Sequence, residues 1–453
     1  MDKNEIITRL KKNEHTRVKV AIIDIDGVLR GKFMHRDKFI SALEKGFGFC
    51  SVVFGWDMMD RSYENDIQIT GWQTGYGDED ACIDLNTFRT IPWEEDTPFF
   101  LADFGNDQGK DLAVCPRSLL RKVMGEAIAM GYTPIYSQEF EWFNYRENPG
   151  DMHARNFQNL QALTPGMFGY SVLRMSENRE FFTDTFDMLE NFGVPLEGLH
   201  TETGPGVTEA AIRYSNILEA ADRAVLFKTS VKEIAYKHGI IASFMAKQTS
   251  ALPGCSGHIH QSLWDADNKE NLFFAENAGD KMSDIMKSYI AGQLQCLPEI
   301  LPMFAPTINS YKRLVEGAWA PTTMTWGIDN RTTALRILTA GKKATRIEHR
   351  VVGSDVNPYL AMAACLASGL YGIKNKLKLT VPATIGNGYR DFSNGTLPSN
   401  LLEASNAMKT SAIAQELFGE VFVDHFTKTR EWEWQQFSAQ VTDWETKRYF
   451  EII

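Results

Sequence analysis

Apolar and polar residues alternate, or recur at helical spacing, along much of this 453-residue chain, and the spacing predicts its elements. The run RVKVAIIDIDGVLRGKFMH (17–35) predicts two strands joined by a turn at Asp26-Gly27. After Pro116, an apolar stripe predicts a helix that ends at Gly131. A second amphipathic helix is predicted over 216–238, followed by a strand in IIASFMA (240–246).

Three further segments place ionisable side chains two residues apart, the spacing that puts them on one face of a strand. For SQEFEWFNY (137–145) alone, an edge strand with a solvated acidic face is the alternative. The repetition favours a curved sheet that lines a polar cavity, since the neighbouring residues are largely apolar. The three faces comprise Glu139 and Glu141; His258, His260 and Ser262; and Arg346, Glu348 and Arg350.

Composition narrows the class of protein. The mass of 51.2 kDa allows two or three domains, while a net charge of −11 and a pI near 5.4 argue against nucleic acid or an anionic membrane as the main partner. No apolar run approaches the roughly 18 residues of a membrane span, and the polar N-terminal stretch does not resemble a signal peptide. Six scattered cysteines without a CxxC pair predict free thiols and a cytoplasmic location.

Six residues carry side chains that bind divalent cations. Five carboxylates and one imidazole could hold two ions, and an oxygen-rich set with a single histidine suits Mg²⁺ or Mn²⁺ better than Zn²⁺. The Gly-Pro-Gly in TGPGVT (203–208) breaks any strand, so the two glutamates that flank it can converge. The six residues are Glu139, Glu141, Glu202, Glu209, His258 and Glu348.

Arginines are concentrated in one stretch of the chain. Arginine binds phosphate and carboxylate groups in bidentate fashion, although a surface ion pair is the alternative for each one. The chain has no GxxxxGK[ST] loop, so a nucleotide would be held by metal, arginine and histidine instead. Within about forty residues lie Arg313, Arg331, Arg336, Arg346 and Arg350.

One early motif allows a different interpretation. IIDIDGVLRGK (22–32) resembles the DxDG(T/V)L loop of haloacid-dehalogenase-type phosphatases, in which the first aspartate is phosphorylated. A match this short requires a later lysine and a paired-aspartate metal motif, and we do not find these in series. We therefore favour a β-turn between two strands.

Taken in order, several motifs resemble the glutamine synthetase family. They are PRSLLRK (116–122), the ExE at 139–141, HTETGPGVTE (200–209), NSYKRLV (309–315), APTTMTWGIDNRT (320–332), RIEHR (346–350) and NPYLAMAACLASGLYGIKNK (357–376). The resemblance extends from about residue 17 to the end of the chain. It implies an α+β protein with an N-terminal β-grasp domain (1–105), a connector around 104–116, and a catalytic domain (106–453) whose antiparallel, barrel-like sheet is surrounded by helices.

The resemblance also implies roles for individual residues. Glu141, Glu202 and Glu209 match the ligands of one metal, and Glu139, His258 and Glu348 match those of a second. Arg313, Arg350 and Gly254 correspond to glutamate-binding positions, and Arg331 to the position that meets the transferred phosphoryl group. Positions that bind ATP correspond to Tyr214, His260, Ser262, Arg336 and Arg346. The implied partners are glutamate, ATP, two or more Mg²⁺ or Mn²⁺ ions, and copies of the chain in stacked, dodecamer-like rings with active sites between subunits.

The nucleophile-handling positions depart from the family pattern. The flap motif GxEAP reads GAWAP, so Trp319 replaces a carboxylate that holds ammonium, and an indole cannot accept a proton but can stack on an alkyl or aryl group. The acidic loop reads GWDMMD, which retains Asp57 as a candidate base from the neighbouring subunit. The loop GCSG before His258 also differs.

These selective changes predict a ligase that joins the glutamate γ-carboxylate to a primary organic amine through γ-glutamyl phosphate. One alternative is a glutamine synthetase that uses ammonium, because a single flap residue is a narrow basis for substrate class. A second alternative is a non-catalytic assembly protein of the lengsin type. The intact metal-ligand positions argue against that second alternative.

Overall fold

The computed structural model describes residues 2–104 and 111–453. The predicted domain boundary between residues 105 and 106, and the middle of the predicted connector, lie outside the described residues. Six strands form the N-terminal sheet: β1 (Arg17–Ile23), β2 (Leu29–His35), β3 (Phe47–Cys50), β4 (Asp78–Ile83), β5 (Arg89–Ile91) and β6 (Thr97–Asp103).

The N-terminal sheet has the order β2-β1-β6-β4-β3, and β5 also pairs with β6. Strands β1 and β6 run parallel, while the other neighbours are antiparallel. Helix α2 (Arg36–Lys45) packs on this sheet through Phe39, whose ring lies 4.7 Å from that of Phe100 on β6. A helix packed on a mixed sheet agrees with the expected β-grasp arrangement.

A second, nine-stranded sheet carries the ionisable side chains predicted from the sequence. Its order is β13-β14-β15-β12-β7-β9-β8, and β10 and β11 also pair with β7. All of these pairs are antiparallel except β13 with β14. The strands are β7 (Tyr132–Tyr145), β8 (Leu196–Thr201), β9 (Val207–Ile212), β10 (Ser215–Asn216), β11 (Ile241–Ser243), β12 (Ile259–Asp265), β13 (Trp326–Ile328), β14 (Leu335–Leu338) and β15 (Arg346–His349).

Helices surround the second sheet, and their ends follow from capping residues. Proline occupies the first turn of the helix at residue 116, and the Asn216 side chain accepts a hydrogen bond from the backbone of Glu219 at the start of the long helix that follows β10. The remaining helices are α1 (Lys3–Lys12), α3 (Pro116–Ala129), α4 (Pro149–Ala154), α5 (Val172–Glu177), α6 (Arg179–Asn191), α7 (Ile217–Lys237), α8 (Asp284–Ile300), α9 (Ile308–Arg313), α10 (Pro358–Lys374), α11 (Leu401–Thr410), α12 (Ala412–Phe418), α13 (Glu420–Ser438) and α14 (Asp443–Tyr449).

Helix α10 lies at the centre of the hydrophobic core, and almost all its residues are buried. It crosses α8 where two glycines meet, since a Cβ at Gly292 would lie 2.6 Å from the backbone nitrogen of Gly372. Most buried apolar residues of both sheets belong to one continuous cluster, whereas Phe143, Tyr145 and Val207 belong to a smaller one. The N-terminal sheet is therefore packed onto the rest of the chain, and its position relative to the second sheet is fixed by burial.

A buried arginine links the N-terminal sheet to the helices. The guanidinium of Arg117 on α3 donates to Asp222 on α7 at 2.9 Å through two nitrogens, and to Asp103 at 2.6 Å and Asp84 at 2.7 Å. One cation thus serves three carboxylates, two of them from β6 and the loop after β4. Removing it would leave Asp222 buried without an ion-pair partner among the described residues, whereas Asp103 would keep its contact with Arg121.

The Asp26-Gly27 turn is a second link between the two parts of the chain. The Asp24 carboxylate accepts from Arg30, and Asp26 accepts from Arg430 on α13 at 2.6 Å. Gly27 has φ +81°, and a Cβ there would lie 2.9 Å from Cα of Asn357. Because both aspartates are engaged in ion pairs, the β-turn interpretation is confirmed over the phosphatase-loop alternative.

Most predicted elements are confirmed, with two corrections. The predicted strand over 240–246 is wrong in length, because only Ile241–Ser243 pairs with β7. Strand β12 starts at Ile259, so His258 precedes it rather than lying within it. Among residues 2–104 and 111–453, no helix combines the length and apolar character that crossing a membrane requires.

Candidate active site

Strand β7 is the centre of the candidate site. Glu139 and Glu141 lie on one face of it, while Phe140 and Trp142 point into the core. The pairing of β7 with β9 places Glu209 directly opposite Glu141. On the other side, the backbone nitrogens of Glu139 and Glu141 donate to carbonyl oxygens in the segment 256–258 that precedes β12. Sheet pairing therefore brings residues from distant parts of the sequence to one cleft.

The first cluster contains Glu139, His258 and Glu348, as predicted. The His258 Nδ1 atom lies 2.8 Å from Glu139 and 3.4 Å from Glu348, and His260 Nε2 lies 3.2 Å from Glu139. Burial would raise the pKa of Glu348, but Arg350, His258 and His260 outweigh it and lower the pKa to about 2. Burial would also raise the pKa of Glu139, but His260 and His258 outweigh burial and hold this pKa well below its usual value. Both carboxylates are therefore anionic at neutral pH.

The second cluster contains Glu202 and Glu209, with Glu141 beside them. Burial raises the pKa of Glu209 to about 7, with further contributions from Glu139 and Glu141, while His200 opposes the rise. The pKa of Glu141 is also raised, mainly by burial, and Glu202 adds to this effect. Carboxylates whose pKa is raised by burial and by each other gain stability when a cation neutralises them.

These two clusters have the donor sets of divalent-cation sites. Ligand atoms of Glu139, His260 and Glu348 all lie within 4.8 Å of one another, as do those of His200, Glu202 and Glu209. His260 and His200 thus occupy, in these two groups, the places for which the sequence predicted His258 and Glu141. The Nε2 atom of His258 is buried and lacks a hydrogen-bond partner among the described residues, which leaves it available to a ligand. Oxygen-rich sets of this kind fit Mg²⁺ or Mn²⁺.

Two buried arginines, Arg313 and Arg350, line the cleft. Arg313 on α9 is buried and donates to the carbonyl oxygens of Val351 and Arg350. The Arg350 guanidinium contacts Glu348 and donates to the carbonyl oxygens of Arg331, at 3.0 Å, and Trp319, at 3.3 Å. Arg350 thus connects the first cluster to the loop that carries Trp319.

Most of the other predicted ATP-side residues lie on strands β12, β14 and β15. Arg336 on β14 contacts Glu348 at 2.7 Å and Asp329 at 2.6 Å, and Arg346 Nε lies 3.1 Å from His260. Arg331 and Tyr214 are exposed, and Tyr214 lies just beyond β9. Ser262 on β12 accepts from the indole of Trp264 at 3.0 Å. Strands β12, β14 and β15 therefore supply His260, Ser262, Arg336 and Arg346, whereas Arg331 and Tyr214 lie outside the strands.

A small pocket between the clusters and the arginines is lined by Trp319. Its lining also includes Gly254, together with Glu141, Glu202, His258, Arg313 and Arg350. Trp319 has φ +58°, an uncommon conformation for an aromatic residue, and its side chain is 58% exposed. Gly254 is also tightly placed, because a Cβ there would lie 2.2 Å from the carbonyl oxygen of Ala246. The exposed Trp319 therefore lies at the rim of the pocket, whereas the buried Arg313 and Arg350 line its interior.

Asp57 lies apart from this cleft within one chain. Its carboxylate accepts from the backbone of Met59 and Arg61 and, at 2.9 Å, from the indole of Trp432 on α13. These contacts hold the GWDMMD loop against α13. A role for Asp57 in the reaction would thus require a second copy of the chain, as the resemblance implies.

Two residues at the site were missed in the sequence. His200 lies 3.3 Å from Glu209 and 3.8 Å from Glu202, and its ring stacks on Tyr170 at 4.3 Å. The two-residue spacing of His200 and Glu202 is the same signal that identified Glu139 and Glu141, so it could have been found. Tyr170 lies in a loop about thirty residues earlier, and no periodicity indicates its position.

Comparisons with known proteins agree with this geometry. The family described as glutamine synthetase, catalytic domain, matches residues 113–449. The chain is 55% identical over 451 residues to type-1 glutamine synthetase 2 of Dictyostelium discoideum, covering 99% of this chain and 86% of that protein. It is 35% identical to glutamate–isopropylamine ligase of Pseudomonas sp (98% and 97% covered) and 37% identical to gamma-glutamylethanolamide synthetase GlnA4 of Streptomyces coelicolor (96% and 92% covered). The solved structure of a GmaS/ADP complex matches with a TM-score of 0.84 at 25% identity, covering 98% of this chain and 99% of that chain.

Fold and site together define a ligase of the ATP-dependent class, which uses divalent metal ions and forms carbon–nitrogen bonds. Within that class, the chain belongs to the glutamine synthetase family, and glutamate is its carboxylate substrate. Relatives that use ammonia and relatives that use organic amines both resemble it over nearly its whole length.

Proposed function

We propose that this protein is a glutamate–amine ligase whose nucleophile is a primary organic amine. The observation that carries the proposal is Trp319 at the rim of the arginine-lined pocket, where the family pattern has a carboxylate. An indole offers an apolar face to an alkyl or aryl group and no anionic group to an ammonium ion. The names of two relatives, an isopropylamine ligase and an ethanolamide synthetase, support the same conclusion.

In this proposal, each carboxylate cluster holds one Mg²⁺ or Mn²⁺ ion. The first ion would be held by Glu139, His258 and Glu348, and the second by Glu141, Glu202 and Glu209. Such ions neutralise phosphate oxygens and the substrate carboxylate, which would otherwise repel one another. His200 lies close enough to the second set to act as a further ligand or to orient Glu209.

The arginines position the two anionic substrates. Arg313 and Arg350, together with the Gly254 loop, would bind glutamate in the pocket that they line. Arg331 is assigned to the transferred phosphoryl group, and Arg336, Arg346, His260 and Ser262 to ATP, with Tyr214 against adenine. The γ-carboxylate of glutamate attacks the γ-phosphorus, ADP leaves, and the amine then displaces phosphate from γ-glutamyl phosphate.

We further propose that active sites form between copies of the chain in a ring. In this arrangement the N-terminal domain (1–105) of one copy brings Asp57 to the catalytic domain (106–453) of its neighbour. Asp57 would accept a proton from the amine, because the amine must lose a proton before or during its attack on γ-glutamyl phosphate. Met59, which follows in the same loop, is 81% exposed in the single chain and would be covered by such a contact.

The second candidate function is glutamine synthesis from ammonium. It is favoured by the 55% identity to a protein named as a glutamine synthetase. A non-catalytic assembly role is not favoured, because the six predicted metal-ligand positions are intact and are gathered around one cleft.

The rate of ADP release distinguishes these candidates. Glutamate, ATP and Mg²⁺ are supplied with ammonium or with one of a panel of alkyl-, aryl- and polyamines. We expect at least one organic amine to support turnover with a higher kcat/KM than ammonium. If ammonium is used as well as every amine, the organic-amine proposal fails, and no turnover with any nucleophile would favour an assembly role.

A further inference from the structure

A cavity separate from the candidate active site lies between the N-terminal sheet and helix α7. Its volume is about 250 Å³. Residues of β1, β2, β5 and β6 form one wall, and one face of α7 forms the other. Its lining includes Lys19, Trp93, Phe99, Phe192, Ser230 and Glu233. None of these residues belongs to the carboxylate clusters or the arginine set described above.

One side of the cavity wall is aromatic. The Trp93 and Phe192 rings meet edge to face at 5.1 Å, and Phe99 meets Phe192 in the same geometry at 5.8 Å. Leu226 and Ile91, both buried, complete this side. A wall of this kind suits a compact branched-alkyl or aryl group.

One end of the cavity is polar. Glu233 and Ser230 lie one helical turn apart on α7, so their side chains point the same way. One oxygen of Glu233 accepts from the indole of Trp93 at 2.7 Å, which fixes the carboxylate in place. Ser230 is only 2% exposed, and its hydroxyl makes no hydrogen bond to any described residue. A buried hydroxyl without a partner beside a fixed carboxylate is a built acceptor site.

The charged residues in the cavity lining are Lys19, Lys32 and Glu233, and the carboxylate of Glu233 makes no ion pair with any described residue. Lys19 is paired with Glu94, and the Lys32 ammonium donates to the carbonyl oxygen of Gly48, with the rings of Phe47 and Phe49 nearby. Glu233, by contrast, has no ion-pair partner within 4.0 Å in the described part of the chain. Burial raises the pKa of Glu233, while the Trp93 hydrogen bond and Lys19 oppose the rise. A ligand that brought one positive charge would relieve this desolvation.

We propose that the cavity binds a small organic ammonium ion, a primary amine with a branched-alkyl or aryl body. Its ammonium group would donate to the free oxygen of Glu233 and to the Ser230 hydroxyl, and its body would lie against Phe99 and Phe192. A ligand there contacts both the N-terminal sheet and α7, so its binding stabilises their packing.

Calorimetric titration of the full-length protein tests the proposal. Isobutylamine and benzylamine are the probes, with isobutanol and benzyl alcohol as neutral isosteres, and ATP and glutamate are omitted. We expect the amines, but not the alcohols, to bind at this site, with hydrogen-exchange protection in residues 226–233 and 91–99. Equal binding of alcohol and amine, or protection confined to other segments, would overturn it. This comparison uses the unmodified chain, so it does not depend on the folding of a variant.

Glu233→Gln keeps an acceptor for the Trp93 indole and removes the charge. Glu190→Gln, an exposed change on α6, is the matched control. We expect at least a tenfold weaker affinity in Glu233→Gln only, with kcat/KM at the active site unchanged. If the active site uses ammonium instead of organic amines, one amine site per chain should remain, and it should still be lost in Glu233→Gln. Equal affinities in the two variants would contradict the assignment.

Discussion

Trp319 is the residue on which the choice of nucleophile depends. It combines a left-handed backbone, a carbonyl held by Arg350 and an exposed indole at the pocket rim. Strain at a functional loop is tolerated only when surrounding contacts fix it, and Arg350 supplies one such contact. Trp319 is therefore linked to the first carboxylate cluster, because Arg350 contacts both the Trp319 carbonyl oxygen and Glu348.

Replacing Trp319 with glutamate should shift preference toward ammonium. A carboxylate at the rim can accept charge-assisted hydrogen bonds from ammonium, and it removes the apolar surface offered to an organic amine. We expect the ratio of kcat/KM for ammonium to that for the best amine to rise about tenfold, equivalent to about 1.4 kcal/mol. Trp319→Phe is the control that retains an aromatic ring. An unchanged ratio in Trp319→Glu would show that the loop does not set nucleophile choice.

Glu209 makes metal binding sensitive to pH. Its pKa of about 7 in the metal-free protein means that a proton competes with a divalent cation for this carboxylate. The apparent affinity for Mg²⁺ should therefore fall by up to about tenfold per pH unit below pH 7, and level off above it. Calorimetric Mg²⁺ titrations at pH 6, 7 and 8 measure this. In Glu209→Gln the affinity should be weaker and its pH dependence shallower, and an equal slope in both proteins would contradict the assignment.

At the scale of elements, the loop with Trp319 is attached to the segment 388–390. Glu316 in the loop pairs with Arg390 at 2.8 Å, and the Tyr389 side chain is 7% exposed. Its hydroxyl has no hydrogen-bond partner among the described residues. Burial raises the pKa of this phenol, and Arg350 and the backbone of Trp319 oppose the rise, which places the hydroxyl near both.

We therefore expect Tyr389→Phe to loosen substrate binding. An unpartnered buried hydroxyl gains a hydrogen bond when the loop closes on bound glutamate, and the variant cannot make it. The KM for glutamate should rise several-fold with little change in kcat, and hydrogen exchange in residues 314–320 should be faster in the substrate-bound protein. Tyr236→Phe, on an exposed position of α7, is the control. Matching kinetics and exchange in the two variants would mean that Tyr389 has no part in loop position.

Helix α13 contains a histidine that should make the fold acid-sensitive. His425 is 1% exposed, neither of its ring nitrogens has a hydrogen-bond partner among the described residues, and burial lowers its pKa to about 3. The unfolded chain takes up a proton near pH 6.5, whereas the folded chain does not until about pH 3. Stability from this site is thus complete above pH 6.5 and is lost as the pH falls toward 3.

Urea unfolding at pH 7.5 and pH 5 tests this element. From the pKa difference, the wild-type protein should lose about 2 kcal/mol more than His425→Phe between these two values. His153→Phe serves as a control, because this histidine lies on the short surface helix α4. If His425→Phe and the wild type lose the same stability, the neutral buried histidine is not the cause.

Sequence periodicity predicted the elements that carry the site, but not all of the surroundings of each residue. The ExE alternation of β7 matches the structure because Phe140 and Trp142 are buried on the opposite face, and a one-residue slip in register would expose them. The spacing also identified residues of the two carboxylate clusters. Tyr170 and Tyr389 could not be predicted, since both are placed by loops whose course depends on long-range packing. Nor did periodicity indicate that Asp57 would be held by Trp432, more than 370 residues later.

At the scale of the whole molecule, the N-terminal sheet is joined to the rest of the chain by buried charges. Arg117 and Arg430 each bridge the sheet to helices, and both are buried. Such links fix orientation more than they add stability, because each buried pair also pays for desolvation. A rigid N-terminal part is what a ring would need if Asp57 of one copy must reach the pocket of the next.

The proposed function depends on whether an organic amine or ammonium becomes attached to glutamate. A direct test incubates the protein with glutamate, ATP, Mg²⁺ and an equimolar mixture of ammonium and a primary alkylamine, and identifies the products by mass spectrometry. We expect a γ-glutamylamide of at least one amine in the panel to accumulate faster than glutamine, and we expect omission of the metal to abolish both products. Glutamine as the main product against every amine would contradict it.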